Sequence, residues 1–208
     1  MNMKWKTPGV QIEEVSLLPT TIVRDSVTMP LFIGYTLNHH GATGFHMGST
    51  IPTRALRIGS FPEFVQVFGG LEFLVMLNET LDGAGKVTSH KVELVPNRLL
   101  FAMQHYFANG GGPCMVISCS NLGFGLAPSL FVNGMQEAES VHGCSLLVMP
   151  EMAALDGPGY KTVAAEALAH TQKVGNRFVI LDAPDTGSPQ TDANAFRANI
   201  IGANLRNG

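Results

Sequence analysis

The side chains in this 208-residue chain that could do chemistry are few and scattered. Asp182 closes the apolar run Phe178-Val179-Ile180-Leu181 and is followed by Ala183-Pro184-Asp185. A carboxylate at the carboxyl end of a strand stands where α/β folds bind their ligands. Ser118, Cys119 and Glu151 are expected along the same edge. One reading of the chain is therefore a hydrolase-like α/β enzyme using Asp182 and Asp185. Against it, the chain has no G-x-S-x-G elbow to lift a serine nucleophile clear of the sheet. Asp182 is expected instead to cap or hydrogen-bond the loop that follows it.

His39, His40 and His46 share one glycine-rich stretch, a crude imidazole cluster. No acidic or thiol ligand completes a set there, and adjacent histidines seldom hold one ion, so the expectation is a solvated loop without metal. His170 falls near the end of a helix, where a positive charge is favoured. The glycines do not make a nucleotide site. Gly83-Ala84-Gly85-Lys86 lacks both the upstream glycine and the following Ser or Thr of a P-loop. Gly123-Phe124-Gly125 meets Pro128 where a dinucleotide fingerprint has its third glycine. Gly110, Gly111 and Gly112 precede a strand and not a helix N-terminus. No catalytic residue, metal or cofactor is assigned. Cys114, Cys119 and Cys144 form no C-x-x-C pair. Cys114 and Cys119, five apart on one strand, face opposite sides and read as buried, reduced thiols.

The elements that must position these groups follow from periodicity. Residues 5–15 read as an exposed extended segment, with Val10 and Ile12 on one face and Gln11 and Glu13 on the other. Residues 30–35 form a short apolar strand, 37–52 a loop, and 56–59 a brief strand. Ser60-Phe61-Pro62-Glu63 is a capping box with proline in the first turn, and Phe61, Phe64, Val65 and Phe68 share one face of the helix it opens. Residues 71–93 read as an insertion with a hairpin-type turn at Asp82-Gly83. A second helix follows Pro96-Asn97 and carries Leu99, Leu100, Met103 and Phe107 inward.

From Cys114 onward apolar strands (114–118, 145–150, 178–182) alternate with helices at 128–140, 160–172 and 191–205. In the helix over 160–172, Tyr160, Val163, Ala164, Ala167, Leu168 and Thr171 recur at helical spacing. The pattern predicts an α/β fold, a three-layer sandwich around a mainly parallel sheet. It carries an extended N-terminal β arm over 1–20 and a core over 21–208, with insertions near 37–55 and 71–95.

Charged residues are 14% of the chain, about half the usual share, which suggests much surface hidden against partners. A net charge of −3 offers no basic stripe for nucleic acid. No apolar run reaches the ~18 residues of a membrane span, and the N-terminus lacks a secretory apolar stretch. Assembly in the cytoplasm is the expectation.

Several segments together resemble one family. Lys6-Thr7-Pro8-Gly9-Val10-Gln11-Ile12-Glu13-Glu14 is similar to the N-terminal signature of contractile tail-sheath proteins, with Gln11 where tyrosine is common. In order follow the Phe32-Ile33-Gly34 strand and Gly59-Ser60-Phe61-Pro62-Glu63-Phe64 through Phe68-Gly69-Gly70. Then come Tyr106-Phe107-Ala108-Asn109-Gly110-Gly111-Gly112-Pro113-Cys114 and the runs over 146–150 and 177–182. The resemblance spans nearly the whole chain and is strongest to sheaths of phage tails and extracellular injection particles. It implies a structural subunit, not an enzyme, that polymerises helically around an inner tube. Its extended-to-contracted transition would eject that tube. Implied partners are other sheath subunits, the tube protein, the baseplate and a tail terminator, with no nucleic acid and no membrane insertion. Residues Thr7, Pro8, Gly9, Val10, Gln11, Ile12, Glu13 and Glu14 would link neighbouring subunits. Family members continue past the position of Asn204-Leu205-Arg206 into a C-terminal domain that is apparently absent here. The implied location is a virion tail or a released particle.

Overall fold

The computed structural model describes residues 29–39, 52–184 and 187–200. The arm from Thr7 to Glu14, His40, His46 and Asp185 lie outside the described residues. In chain order the elements begin with β1 (Met29–Thr36), β2 (Leu56–Ile58), α1 (Phe61–Phe68), β3 (Phe73–Leu81), β4 (Val87–Pro96) and α2 (Arg98–Ala108). They continue with β5 (Cys114–Asn121), α3 (Pro128–Ala138), β6 (Cys144–Val148), α4 (Gly157–Val174), β7 (Phe178–Ile180) and α5 (Pro189–Asn199).

The main sheet has the order β2-β5-β1-β6-β7. β5, β1, β6 and β7 are parallel, and β2 runs antiparallel to β5. β1 is buried from Pro30 to Thr36, as expected of a continuous apolar strand covered on both faces. One cover is α1 and α2, meeting the sheet through Phe64, Phe68, Leu99, Met103, Phe32 and Val116. The other is α3 and α4, meeting Ile33, Tyr35, Ile117 and Leu147 through Phe131 and Tyr160. This is the three-layer α/β sandwich that the alternation of elements predicts. All six stripe residues of α4 are buried, and Cys114 and Cys119 fall in opposite layers.

Local signals explain the helix ends. Ser60 caps α1 by accepting the Glu63 N–H, while the Glu63 carboxylate reaches back to the Gly59 N–H at 2.7 Å, one residue earlier than a standard capping box. Asn97 caps α2 through the Leu100 N–H. Asp156 caps α4, which ends at Gly175 in the left-handed region.

Two expectations are refined. The last helix runs over Pro189–Asn199, starting before residue 191, and Ile200 leaves helical geometry at ψ 77°; residues 201–205 of the expected helix lie outside the described residues. The insertion is a regular β3–β4 ribbon, and the hairpin turn expected at Asp82-Gly83 is present but extends over residues 82–86. Asp82 Oδ1 accepts the N–H groups of both Ala84 and Lys86, and Gly85, not Gly83, supplies the positive φ of 83°.

Candidate functional site

The chain passes from β1 outward to β5 and then returns across β1 to β6. The strand order therefore reverses beside β1, and the crevice between the carboxyl ends of β1 and β6 is where a doubly wound sheet can hold a ligand. Glu151 occupies it. The residue sits in a 3₁₀ turn, Pro150–Ala154, directly after β6 and is 2% exposed. Its Oε1 accepts the Leu99 N–H at 2.8 Å, so it serves as a second cap on α2 beside Asn97. Its Oε2 reaches no solvent and has no partner among the described residues. Gly34 makes the room, since a Cβ there would lie 2.4 Å from Oε2. Burial drives the carboxyl up to about 7, partly opposed by the N–H groups of Leu99, Glu151 and Tyr35 and by the charge of Arg98.

A polar knot closes the neighbouring ends of β1 and β5. Ser118 Oγ lies 2.6 Å from Thr36 Oγ1 and 2.9 Å from His39 Nδ1, and the Ser118 N–H donates to Thr53 Oγ1. Ser118 and His39 are both fully buried. This overturns the expected solvated position of His39: its ring is an internal hydrogen-bonding group. A serine beside a histidine has the outline of a nucleophile and base. Here the hydroxyl is spent on Thr36, His39 and the Ser120 carbonyl, inside a strand with no elbow. The arrangement pins residues 36–39 and 53 to the sheet.

On the far side of β6, Arg177 is 3% exposed. Its guanidinium donates to the carbonyls of Cys144, Ala138 and Val141 and to His170 Nε2 at 3.1 Å. Arginine only donates, so His170 Nε2 must be an unprotonated acceptor. Burial and the Arg177 charge accordingly hold the His170 pKa below its ordinary value. The positive charge favoured for a histidine near a helix end is opposed here first by burial and then by the cation it faces.

Asp182 lies just past β7 and is exposed, and its carbonyl accepts the Tyr160 hydroxyl at 2.8 Å. β7 and β5 are three strand spacings apart, roughly 14 Å, so Asp182 and Ser118 are not brought together. Ser118 and Cys119 point to opposite faces, and burial raises the Cys119 thiol well above its usual pKa. Among the described residues no group of three or more His, Cys, Asp or Glu could hold a metal ion.

A cleft of about 400 Å³ opens between the base of the β3–β4 ribbon and the ends of β5 and β6, lined by Met76, Leu94, Arg98, Leu122, Phe124 and Glu151. The Glu151 oxygen that lacks a partner is sealed from solvent, so the cleft presents a mainly apolar wall that also carries the charged side chains of Glu93 and Arg98. Sequence reasoning had placed Glu151 at this edge without its capping role, and it missed the Ser118–His39 and Arg177–His170 contacts. The visible signal was polar residues inside apolar runs, namely Thr36, Ser118 and Ser120. Comparison with protein-family models and with curated proteins finds no match.

Proposed function

We propose that this chain is a structural subunit of a contractile tail sheath, assembling with copies of itself around an inner tube. The observation that supports this most is where the sheath-like segments fall. Phe32-Ile33-Gly34 is the central strand β1, and the Ser60–Gly70 segment is α1 with its cap and stop. The Tyr106–Cys114 segment is the junction of α2 and β5, and the last two are β6 and β7. Each forms part of one framework, and several have a packing reason for their residues, such as Gly34 beneath Glu151.

In this reading residues 7–14 join a neighbour's sheet, the α/β body is the rigid unit that rotates, and the partners are further subunits, tube, baseplate and terminator. Particles of this kind act as virion tails or released injection devices. The exposed Phe178 and Ile180 on the edge strand β7 fit a subunit whose sheet meets a neighbour.

The test is electron microscopy of the purified chain, alone and with its cognate tube. Striated tubes or ordered polymers are expected. Discrete particles under all assembly conditions, with the tube present, would overturn the reading.

A further inference from the structure

The β3–β4 ribbon is amphipathic in the wrong sense for a lone subunit. Its rows are Phe73 with Pro96, Val75 with Leu94, Leu77 with Val92, Glu79 with His90, and Leu81 across from Val87. These rows share one face, and their seven large apolar side chains are between 44% and 64% exposed. The opposite face holds Leu74 and Val95, which pack on the core, and then Met76 with Glu93, Asn78 with Lys91 and Thr80 with Ser89. The body-facing side of the ribbon thus turns polar toward its tip while the outward side stays apolar. An antiparallel sheet with one wet face shows the reverse. A two-stranded ribbon is also marginal by itself and needs a further layer.

We infer that the occupant of this face is the same ribbon of a second copy, the two ribbons stacking into a four-stranded, two-layer sandwich about a two-fold axis along the strands. Three features of the face single out a second copy. Seven large apolar side chains, each about half exposed, form an apolar patch of several hundred Å², the scale that marks an interaction surface on a lone subunit. Each row pairs unlike residues, and an axis along the strands lays β3 of one copy over β4 of the other. Val75 then meets the second copy's Leu94, and Leu77 its Val92, large against small at every level. Glu79 meets the second copy's His90, so the one polar row is complementary to itself. At the ribbon's base Phe73 meets Phe101 of α2 edge-on at 5.8 Å and Leu94 borders the cleft, so the face is anchored to its own body there and the part open to a second copy runs from Val75 and Val92 toward the tip. The inference does not rest on the sheath reading. A two-fold pair would be a soluble form of the subunit, with its ribbon covered.

Sedimentation of the 208-residue chain across a concentration series tests this. The wild-type chain is expected to move from one to two times its 22.2 kDa mass as concentration rises. Val75→Lys combined with Leu94→Lys places like charges at one level and should leave a monomer with unchanged far-ultraviolet circular dichroism. Glu79→Lys should weaken the dimer, and adding His90→Glu should restore it, a recovery that mere damage to folding would not give. Excising residues 73–96 should leave a folded monomer, because the Asn97 N–H already donates to the Glu72 carbonyl at 2.8 Å across the ribbon's base. A wild-type chain monomeric at every concentration would overturn the inference. So would a dimer that survives the double lysine variant. Tubes in the microscope without a soluble dimer would leave the sheath reading standing alone, and a ribbon-dependent dimer without tubes would do the opposite.

Discussion

Replacing Glu151 by glutamine should make the chain more stable at pH 8 and remove part of its pH dependence. The carboxyl is buried between Gly34 and Leu99, with one oxygen bonded and the other without a partner. Its pKa rises from 4.5 to about 7, chiefly through burial. An acid whose folded pKa is raised binds its proton more tightly when folded. Its folded state is therefore favoured at low pH, and stability falls as pH climbs from about 4.5 to about 7, then levels. At ~1.4 kcal/mol per pH unit the loss amounts to roughly 3 kcal/mol. Glutamine keeps an acceptor for the Leu99 N–H but puts an amide donor where Oε2 lay, at a cost of about 1–3 kcal/mol if it stays unpaired. The net gain at pH 8 should be about 1 kcal/mol, with no gain or a loss at pH 5.

Urea unfolding at intervals between pH 5 and 8 measures this, read as the difference between wild type and Glu151→Gln. The difference matters because His170 titrates with the opposite sign. Its folded pKa is lowered, so its contribution is present above the unfolded value near 6.5 and is lost as pH falls below it. A difference that stays flat across the range, or that favours wild type increasingly toward pH 8, would refute the reasoning about a desolvated carboxyl.

Gly34→Ala should cost about 1–3 kcal/mol by driving a methyl group into Glu151 Oε2, and in a thermal melt cycle Glu151→Ala should relieve part of that cost, a coupling absent if the two residues do not touch. Phe64→Ala, 1% exposed between α1 and the sheet, should lose about 3–5 kcal/mol in urea unfolding. His170→Gln, which keeps an acceptor for Arg177, should flatten the acid side of the stability curve below pH 6.5, measured by the same titration. Deleting residues 1–15 should leave a soluble, cooperatively melting chain that forms no tubes by electron microscopy, since Val10 and Ile12 offer only about 3–6 kcal/mol against roughly 1–2 kcal/mol per ordered residue.

The framework was legible because its causes are local. The α4 stripe, the Ser60 and Asn97 caps and the apolar runs of β1, β5 and β6 each lie within a few residues of one another, and period and capping chemistry act at that range. The ribbon was less legible. Its strands alternate Val and Leu with polar residues, which announces β-structure, and Asp82-Gly83 marked the turn without its length. The five-residue turn uses the Asp82 side chain twice and places its left-handed residue at Gly85. The end of α5 was overrun although Arg197 and Gly202 are the kind of residues that accompany a helix end.

The side chains with chemical potential were the hardest to place, and the reason is sequence distance. His39 meets Ser118 across 79 positions, Glu151 meets Leu99 across 52, and Arg177 reaches Ala138 across 39. Whether a histidine or glutamate is solvated or buried is decided by those partners, and no window of sequence contains them. The reversal at His170 makes the point sharply. Helix position alone favours a proton there by under 1 kcal/mol for an exposed group. Burial, and then a guanidinium 3.1 Å away, oppose that proton and prevail. The local rule was sound and lost to a stronger, non-local one. For the same reason a list of titratable residues near strand ends is a poor guide to chemistry in this fold. At the crevice beside β1, the group that sequence reasoning placed at the edge as a possible participant is held inside as a cap on α2, and the opening next to it is lined largely by apolar side chains.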